Sequence, residues 1–479
     1  MAEGAAGPTI ASERLEGLRG RLGEIPFVTD AEVLRESSRD TYWKAAALAA
    51  VGRGLLPDAV VRPRSAEEVA TTLAAAAAEG VPVVPRGGGS GSQGGAVPDA
   101  GGIVLDLGGL DEIIELDEAA LTVRAQAGVP GLRLEEWLNE RGYTFPHYPA
   151  SLHLAHVGGY LAAKGSGVLS TKYGKIEELV ASIEVALPSG ERVRTVPIPR
   201  HAVGPDLNQL FIGSEGTLGV ITEATLLLRP LPEHRSFRLI AFDDLASGVE
   251  AVRRVLQAGW RPAAVRLHDP EATRLNLARI LEADVSGVVL VLVFDGPRPL
   301  VETEEREVLR SLTASGGRDE GPEIAEAWWE NRFRIYYPPY RPELPSIWGT
   351  IDLAAGFGRI LPAFEAVRDL MLDAYGSYGL TFTGHFSHWY PWGTMVYGRF
   401  ILTDPPDDVD AAVAIYDEIW RRSSEVILRE GAVINDHHGV GLKLAGDMRA
   451  QYGSAWPLLE EIKRTLDPKR VMNPNKLGL

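Results

Sequence analysis

The 479-residue chain contains no cysteine. Disulfide bonds, thiolate metal sites, iron-sulfur clusters and cysteinyl links to a cofactor are therefore excluded. A basic excess is also missing, because 48 Lys and Arg stand against 65 Asp and Glu and the formal net charge is -17. Nucleic acids and anionic membranes bind basic surfaces, so neither is an expected partner.

Long apolar runs and targeting signals are absent as well. No run of about eighteen or more apolar residues occurs, and residues 1–7 lack the charged and apolar regions of a secretory signal. The ending Lys476–Leu479 is not a peroxisomal serine-lysine-leucine signal. We therefore expect a cytoplasmic protein without an integral membrane segment.

The composition itself is that of an ordinary globular protein, with 45% hydrophobic and 24% charged residues. The length exceeds what one hydrophobic core normally supports, so we expect two or more domains. The two prolines of Arg229–Glu233 are typical of a linker and mark the expected main boundary.

Before this boundary, short apolar runs alternate with helical patterns. Ser65 and Glu68 predict a capping box at the start of an alanine-rich helix that Gly80 ends. Strands are predicted at residues 59–63, 81–85, 103–107, 113–116, 121–125, 179–187 and 219–228, with a helix at 131–141. Many strands with few helices between them indicate an α+β fold, not a doubly wound sheet. After the boundary, a strand, a helix and two strands over residues 235–294 predict an antiparallel sheet covered by helices on one side.

The densest glycine cluster is the loop from Pro85 to Gly95. Its Gly89-x-Gly91-x-x-Gly94 matches the dinucleotide-binding fingerprint, which must open a helix. The residues that follow, 95–102, cannot begin a long helix. What remains is a backbone nest whose N–H groups converge on phosphate oxygens, with a purely structural turn as the alternative.

Two further small-residue stretches, 157–167 and 213–222, favour an extended ligand threaded along backbone amides. Together with Tyr173-Gly174, residues 204–207 and the ending 467–474, the three stretches resemble the FAD-binding superfamily of vanillyl-alcohol oxidase and p-cresol methylhydroxylase. Within it, the nearest groups are the alkylglycerone-phosphate synthases and the D-lactate and glycolate dehydrogenases. The resemblance covers nearly the whole chain.

This resemblance implies an α+β fold with an FAD-binding domain of two α/β subdomains (1–230), an α+β cap domain with an antiparallel sheet (231–430) and a C-terminal segment returning to the FAD domain (431–479). It implies FAD, and we expect non-covalent FAD because the first loop has no histidine to bond the flavin. The implied FAD contacts are Pro85, Arg86, Gly87, Gly88, Gly89, Ser90, Gly91 and Ser92 for the pyrophosphate, Pro149, Ala150, Ser151, Gly158, Gly159, Lys164, Gly165, Ser166 and Gly167 for the middle of the cofactor, and Glu215, Gly219, Val220 and Ile221 for its adenine and ribose end.

The candidate catalytic residues lie late in the chain. His437 and His438 precede a Gly-x-Gly turn, and an imidazole with a pKa near working pH can remove a hydroxyl proton while hydride leaves for the flavin. The alternative is a histidine pair that only satisfies backbone carbonyls. In the related synthases the region after Gly384 supplies a catalytic tyrosine, and Tyr397 occupies the matching place; a core position is the alternative.

The same region supplies metal-binding histidines in the related hydroxy-acid dehydrogenases, with a carboxylate next to the late histidine. Here His437 stands in place of that carboxylate, so we expect no metal. Arg334, in the arginine-rich segment 332–341, is predicted to clamp a substrate carboxylate or phosphate, and a solvated surface is the alternative. The aromatic residues of this half predict an aromatic-lined pocket: Trp328, Trp329, Tyr336, Tyr337, Tyr340, Trp389 and Trp392.

Three hypotheses follow for function. The first is an FAD-linked oxidase or dehydrogenase that takes hydride from a CH–OH group of an organic alcohol or hydroxy acid to flavin N5. The second is a transferase similar to alkylglycerone-phosphate synthase, without net redox change, although Asp436 stands where the synthases have the first of three histidines. The third is a flavin-fold binding protein without chemistry. The partner is a small organic substrate; a homodimer is one assembly to test, and the electron acceptor stays open.

Overall fold

A computed structural model describes residues 10–334 and 343–479. The first sheet has four strands, and its three longer strands run parallel. The spatial order of the four strands is Phe27–Val28, Ala59–Val61, Ile103–Asp106 and Val83–Arg86. The helix Ala66–Glu79 connects two of these strands and buries Val69 and Leu73 completely. The glycine loop therefore leaves the sheet at the end of the strand Val83–Arg86.

The predicted helix boundaries are confirmed. Oγ of Ser65 accepts a hydrogen bond from the amide of Glu68 at 3.1 Å, and Gly80 ends the helix in the left-handed conformation. The Glu68 carboxylate accepts from the amide of Arg64 at 2.6 Å, one residue before the cap. The reciprocal half of the capping box is thus displaced by one residue.

The second sheet has five antiparallel strands and contains four of the predicted strands, each within one or two residues of the prediction. Its order is Ile113–Asp117, Thr122–Gln126, Val220–Leu227, Val180–Ala186 and Arg192–Arg194. The helices Gly131–Asn139 and Val157–Ala162 share its hydrophobic core.

The third sheet is antiparallel throughout, as predicted, with seven strands. Its order is Arg318–Asp319, His234–Phe242, Val288–Gly296, Ala264–His268, Leu380–Tyr390, Gly393–Leu402 and Ile347–Gly356. The helices that share its core are Leu245–Gln257, Arg298–Ala314, Phe357–Tyr375 and Val409–Arg429. The class predicted for this half, α+β with an antiparallel sheet, is therefore confirmed.

The end of the chain packs beside the glycine loop. The amide of Val83 donates to the carbonyl of Val471, and the amide of Asn473 donates to the carbonyl of Val83, both at 2.8 Å. The buried ammonium of Lys463 donates to the carbonyl of Thr217, also at 2.8 Å. The remaining elements are the helices Ser12–Leu22, Ala31–Ser37, Trp43–Ala50, Ser170–Tyr173, Asn208–Phe211, Pro270–Ala272, Arg279–Leu281, Glu323–Asn331, Met448–Tyr452 and Trp456–Leu466, and the paired strands Tyr143–Thr144 and Arg229–Pro230.

Within residues 10–334 and 343–479, no helix has both the length and the apolar character that are needed to cross a bilayer.

Candidate active site

A cavity of about 410 Å³ lies where the glycine loop meets the seven-stranded sheet. His437, His438, Tyr397 and every predicted cofactor contact except two line it. Of those two, Arg86 donates to the carbonyl of Arg39 at 2.8 Å, and the Nζ atom of Lys164 lies 3.9 Å from the Glu177 carboxylate. The structure therefore brings the three glycine-rich stretches and the late histidines to one place.

The glycine-rich segments leave space for a large ligand. No helix follows the first loop, whose next element is the strand at Ile103, so the nicotinamide-type interpretation is rejected by the structure too. A Cβ atom at Gly159 would meet no protein atom within 4 Å, and one at Gly91 would meet only Asp40 at 3.7 Å. Side chains there would project into the cavity, so the segments fit a cofactor that lies against the backbone.

A row of four polar residues crosses the sheet on the cavity side. In the strand register, Asp352 pairs with Tyr397, Tyr397 with His385, and His385 with His268. Directly opposed residues on antiparallel strands project from the same face. The Tyr397 and His385 rings stack at 4.8 Å between centroids. Tyr397 is thus part of the cavity wall, and the core alternative is wrong for its position.

The histidine loop lies over the Asp352 end of this row. The Nδ1 atom of His438 lies 3.0 Å from Oδ1 of Asp352, and Nδ1 of His437 lies 3.6 Å from Oδ2. Asp352 is 2% exposed, and although burial opposes its ionisation, His438 and His437 lower the pKa of Asp352 below its ordinary value. The Tyr397 ring meets the His438 ring edge-on at 5.3 Å.

The buried imidazoles are held neutral. Burial, with the nearby His438, lowers the pKa of His437 to about 3. Burial and the adjacent Arg266 lower the pKa of His268 to about 3 and the pKa of His385 well below its usual value. Nη2 of Arg266 lies 2.6 Å from Nε2 of His385, and because a guanidinium only donates, that nitrogen accepts.

Asp436 is the centre of a second network. Its carboxylate lies 3.1 Å from Nδ1 of His388 and 3.5 Å from Nζ of Lys175, and it accepts from the hydroxyl of Tyr390 at 3.3 Å. Burial alone would raise the pKa of Asp436, but Lys175 and His388 hold it well below its usual value. The second hypothesis for this loop, histidines that only bond backbone carbonyls, does not describe these contacts.

Two overlapping groups of side chains could hold a metal ion among the described residues. They are Asp352-His437-His438 and His388-Asp436-His437, each with ligand atoms within 4.8 Å of one another. Lys175 also donates to the backbone carbonyl of Asp436. Because the Asp436 carboxylate already interacts with the Lys175 ammonium and the Tyr390 hydroxyl, it would bind a divalent cation less strongly. The expectation that no metal binds stays a prediction.

Arg334, the residue predicted to clamp the substrate, does not line the cavity. Arg334 is exposed, and its guanidinium donates to the carbonyl of Ile280 and the amide oxygen of Asn331 at 3.2 and 3.3 Å. Arg332 lines the cavity instead and stacks over the ring of Trp329 at 3.9 Å. Burial lowers the pKa of Arg332 to about 10, and no carboxylate of the described residues lies within 4 Å of it.

Lys443 is a second cation of the cavity wall. Its Nζ atom lies 3.7 Å from the centroid of the Trp420 ring. Burial lowers the pKa of Lys443 to about 7, against the attraction of Asp352 and Asp40. Arg266 and Arg399 also line the cavity. An acidic protein thus has a cationic cavity, which suits an anionic ligand.

The predicted aromatic pocket is present in part. Trp328 lines the cavity, as does Trp348, which was not predicted. Trp389 is 1% exposed in the core, and Trp392 is 60% exposed at a hairpin. The predicted aromatics Tyr336, Tyr337 and Tyr340 and the end of the arginine-rich segment lie outside the described residues.

Glu215 lines the cavity as predicted, but both of its carboxylate oxygens are occupied. They accept hydrogen bonds from the amides of Val440 and Gly441. These contacts indicate that the Glu215 carboxylate binds a loop of the protein and not the adenine end of the cofactor.

The sequence analysis missed three residues of the cavity lining, namely Arg266, His268 and Lys443, and two residues that contact the histidine loop, Asp352 and Lys175. Arg266 and His268 alternate with apolar residues in the strand Ala264–His268, and this alternation was an available signal for them. The strands that pair with it could not be found in the same way, because local periodicity does not determine which strands pair.

Comparison with known proteins agrees with this geometry. Residues 57–196 match the family model of an FAD binding domain, and residues 231–477 match that of the C-terminal domain of FAD linked oxidases. An uncharacterised FAD-linked oxidoreductase of Escherichia coli K12 is 29% identical over 96% of both chains. The alkyldihydroxyacetonephosphate synthase of Trypanosoma brucei brucei is 27% identical over 98% of this chain and 81% of its own. The glycolate oxidase subunit GlcD of Bacillus subtilis is 28% identical over 88% of this chain and 89% of its own.

Solved structures show the same fold. An alkyldihydroxyacetonephosphate synthase structure superposes with a TM-score of 0.81 at 23% identity, over 99% of this chain and 87% of the other. A p-cresol methylhydroxylase structure with substrate bound superposes with a TM-score of 0.78 at 18% identity, over 98% and 96% of the two chains. The expected fold is thereby confirmed, and the two family matches confirm FAD as the cofactor.

Proposed function

This chain belongs to the family of FAD-linked oxidases, and we propose that it oxidises a CH–OH group of an organic alcohol or hydroxy acid that carries an anionic group. The Asp352-His438 pair is the single observation that carries this proposal. When bound, FAD supplies the two-electron acceptor, which takes hydride at N5.

His438 is the proposed base. The Asp352 carboxylate, 3.0 Å from Nδ1, favours a proton on that nitrogen, so that Nε2 is left free to accept the substrate hydroxyl proton. As that proton leaves, the C–H bond breaks with its electron pair and a carbonyl forms. The imidazolium produced next to a buried carboxylate is stabilised by it. Tyr397 lies edge-on to the same imidazole and can orient the substrate oxygen by a hydrogen bond.

The cationic groups of the cavity support an anionic substrate. Arg332 lines the wall beside Trp328 and has no carboxylate partner within 4 Å in the described chain, so a substrate carboxylate or phosphate would supply the missing counter-charge. A guanidinium can bind either group through two parallel hydrogen bonds.

The glycine-rich stretches are the proposed FAD contacts, with the roles given above except for Arg86, Lys164 and Glu215. We keep the proposed division at residues 1–230, 231–430 and 431–479; the gap between the two family matches, 196 to 231, supports its first boundary. The flavin is proposed to be non-covalent because the loop 85–95 has no histidine.

The alternative is a transferase of the alkylglycerone-phosphate synthase type. The similarity over nearly the whole chain to the trypanosomal synthase favours it. Against it, Asp436 occupies the first position of the synthases' histidine triplet and is already paired with Lys175 and His388.

Anaerobic mixing of the holoprotein with a panel of alcohols, hydroxy acids and acylated glycerone phosphate separates these functions. Bleaching of the flavin absorbance by an anionic alcohol or hydroxy acid is the expected result. Exchange of an acyl for an alkoxy group without lasting bleaching would establish the transferase instead. Neither response with any compound would leave a binding protein.

A further inference from the structure

The loop that carries His437 and His438 is fixed first to the seven-stranded sheet. The amide of Asp436 donates to Oδ2 of Asp352 at 3.1 Å, and the amides of both histidines donate to Oδ1 of Asn435 at 3.0 Å. The first bond holds the loop against the strand that carries Asp352, and the other two lie within the loop.

Beyond the histidines, the four consecutive amides of residues 440–443 donate to the FAD-binding half of the chain. The first two donate to the two carboxylate oxygens of Glu215, at 2.7 Å for the second. The last two donate to the backbone carbonyl of Gln93 in the glycine loop, at 2.9 and 3.1 Å. The histidine loop is therefore held between the two halves of the molecule.

Glu215 is built into this position. It is 9% exposed and has a φ of +51°, a left-handed conformation that non-glycine residues rarely adopt. Its backbone carbonyl accepts from Nδ2 of Asn473 at 2.6 Å. A Cβ atom at Gly439 would collide with the Glu215 carboxylate, so the loop can approach only because this neighbour has no side chain. The left-handed backbone of Glu215 and the close approach of Gly439 to its carboxylate occur at the same contact, which indicates that this contact is specific.

We infer that Glu215 is a positioning residue that holds the His437-His438 loop against the FAD-binding half. In this way it sets the distance between these imidazoles and the cofactor. The inference rests on the proposed function only in that these histidines handle the substrate proton. Without the carboxylate, the loop stays tied to Asp352, Gln93 and Lys175, but it loses the two hydrogen bonds across the interface that lie next to the histidines. Displacement of a reacting group by about 1 Å costs about 100-fold in rate.

Hydrogen exchange of single amides tests the contact directly in the holoprotein. The variants are Glu215→Gln, which keeps the side-chain volume but can accept at one oxygen only, and Glu215→Ala. The control is Glu223→Gln, since the Glu223 carboxylate pairs with Arg194 at 2.6 Å on the surface of the second sheet. FAD content and the limiting rate and KM of flavin reduction are measured in the same samples.

In Glu215→Ala, we expect hydrogen exchange at the amides of residues 440 and 441 to become about tenfold faster or more, because both amides lose a charged hydrogen-bond acceptor. The limiting rate of flavin reduction falls about 100-fold, while KM and FAD content stay unchanged. In Glu215→Gln, the exchange rate of these amides and the limiting rate of flavin reduction lie between those of the wild type and Glu215→Ala. Glu223→Gln changes neither rate. Unchanged exchange at these amides would overturn the inference, and so would loss of FAD in parallel with the rate. If no compound reduces the wild-type flavin, the proposed function fails while the exchange data still decide the role of Glu215.

Discussion

Nδ1 of His438 lies 3.0 Å from Oδ1 of Asp352, a carboxylate on a different element that is 2% exposed. The contact joins a loop near the end of the chain to the edge strand Ile347–Gly356 of the seven-stranded sheet. A buried carboxylate beside one imidazole nitrogen fixes the proton there and leaves the other nitrogen as an acceptor. This pair gives the cavity its best candidate base.

Replacement of either member of the pair should stop flavin reduction without loss of the cofactor. We expect His438→Gln and Asp352→Asn each to lower the limiting rate of flavin reduction about 10²- to 10⁴-fold, since general base catalysis contributes that much. Anaerobic stopped-flow absorbance measures the rate, and the flavin-to-protein ratio measures the cofactor. His234→Gln, on a strand outside the cavity lining, is the matched control. A His438→Gln rate equal to that of the wild type would remove this residue from the mechanism.

The two arginines of the segment after Trp329 should behave differently. Arg332→Met is expected to raise KM for an anionic substrate about 10- to 100-fold, because a charged hydrogen bond is lost. Arg334→Met should change KM less than about twofold, since exposed contacts contribute little. Steady-state kinetics of both variants check this. An equal effect of the two substitutions would contradict the assignment of Arg332.

Substrate affinity should fall as pH rises through the pKa of Lys443. Burial lowers this pKa from 10.5 to about 7, so the side chain is charged below neutral pH and uncharged above it. We expect KM for an anionic substrate to rise about tenfold between pH 6 and 8, through loss of a charged partner. Lys443→Arg keeps its charge and should give a flat KM profile over this range, whereas Lys443→Met should have a high KM throughout. The same slope in all three proteins would assign the pH effect to another group.

Chelation should leave the activity unchanged. Lys175 lies 3.5 Å from the Asp436 carboxylate and supplies a positive charge where a metal ion would otherwise do so. Dialysis of the holoprotein against a strong chelator, followed by metal analysis and assay, tests this. Loss of activity that zinc restores would show that one of the two histidine-aspartate groups holds a metal.

Acid precipitation should release the flavin into the supernatant. The loop 85–95 has no histidine, but His147 and His156 line the cavity together with the late histidines. Absorbance of the pellet and the supernatant separates the two outcomes. Yellow colour that stays with the denatured protein would identify a covalent bond, and peptide mapping would then find the histidine involved.

Local chemistry made the fold class and the absence of a helix after the glycine loop predictable from the sequence. The helix from Ser65 to Gly80 follows from a capping side chain and a left-handed glycine, which act within a few residues. The rejection of a dinucleotide-type helix after Gly94 depends on the residues that follow directly, and the structure agrees. Proximity along the chain was sufficient evidence in both cases.

Side-chain direction was not predictable in the same way. Arg332 and Arg334 are two residues apart and chemically identical, yet one lines the cavity and the other faces solvent. Glu215 was assigned to the cofactor from its motif, but its carboxylate binds a loop more than two hundred residues later in the chain.

The sequence alone thus determined that this is an α+β protein with a glycine-rich loop after a buried strand, and that His437 and His438 are candidates for proton transfer. Only the tertiary structure decided which groups surround those imidazoles. The row Asp352, Tyr397, His385 and His268 exists because four strands pair in one register, and the Asp352-His438 contact exists because a late loop crosses that row. Register and loop placement depend on burial of whole sheet faces, which is a property of the folded chain and not of any short segment.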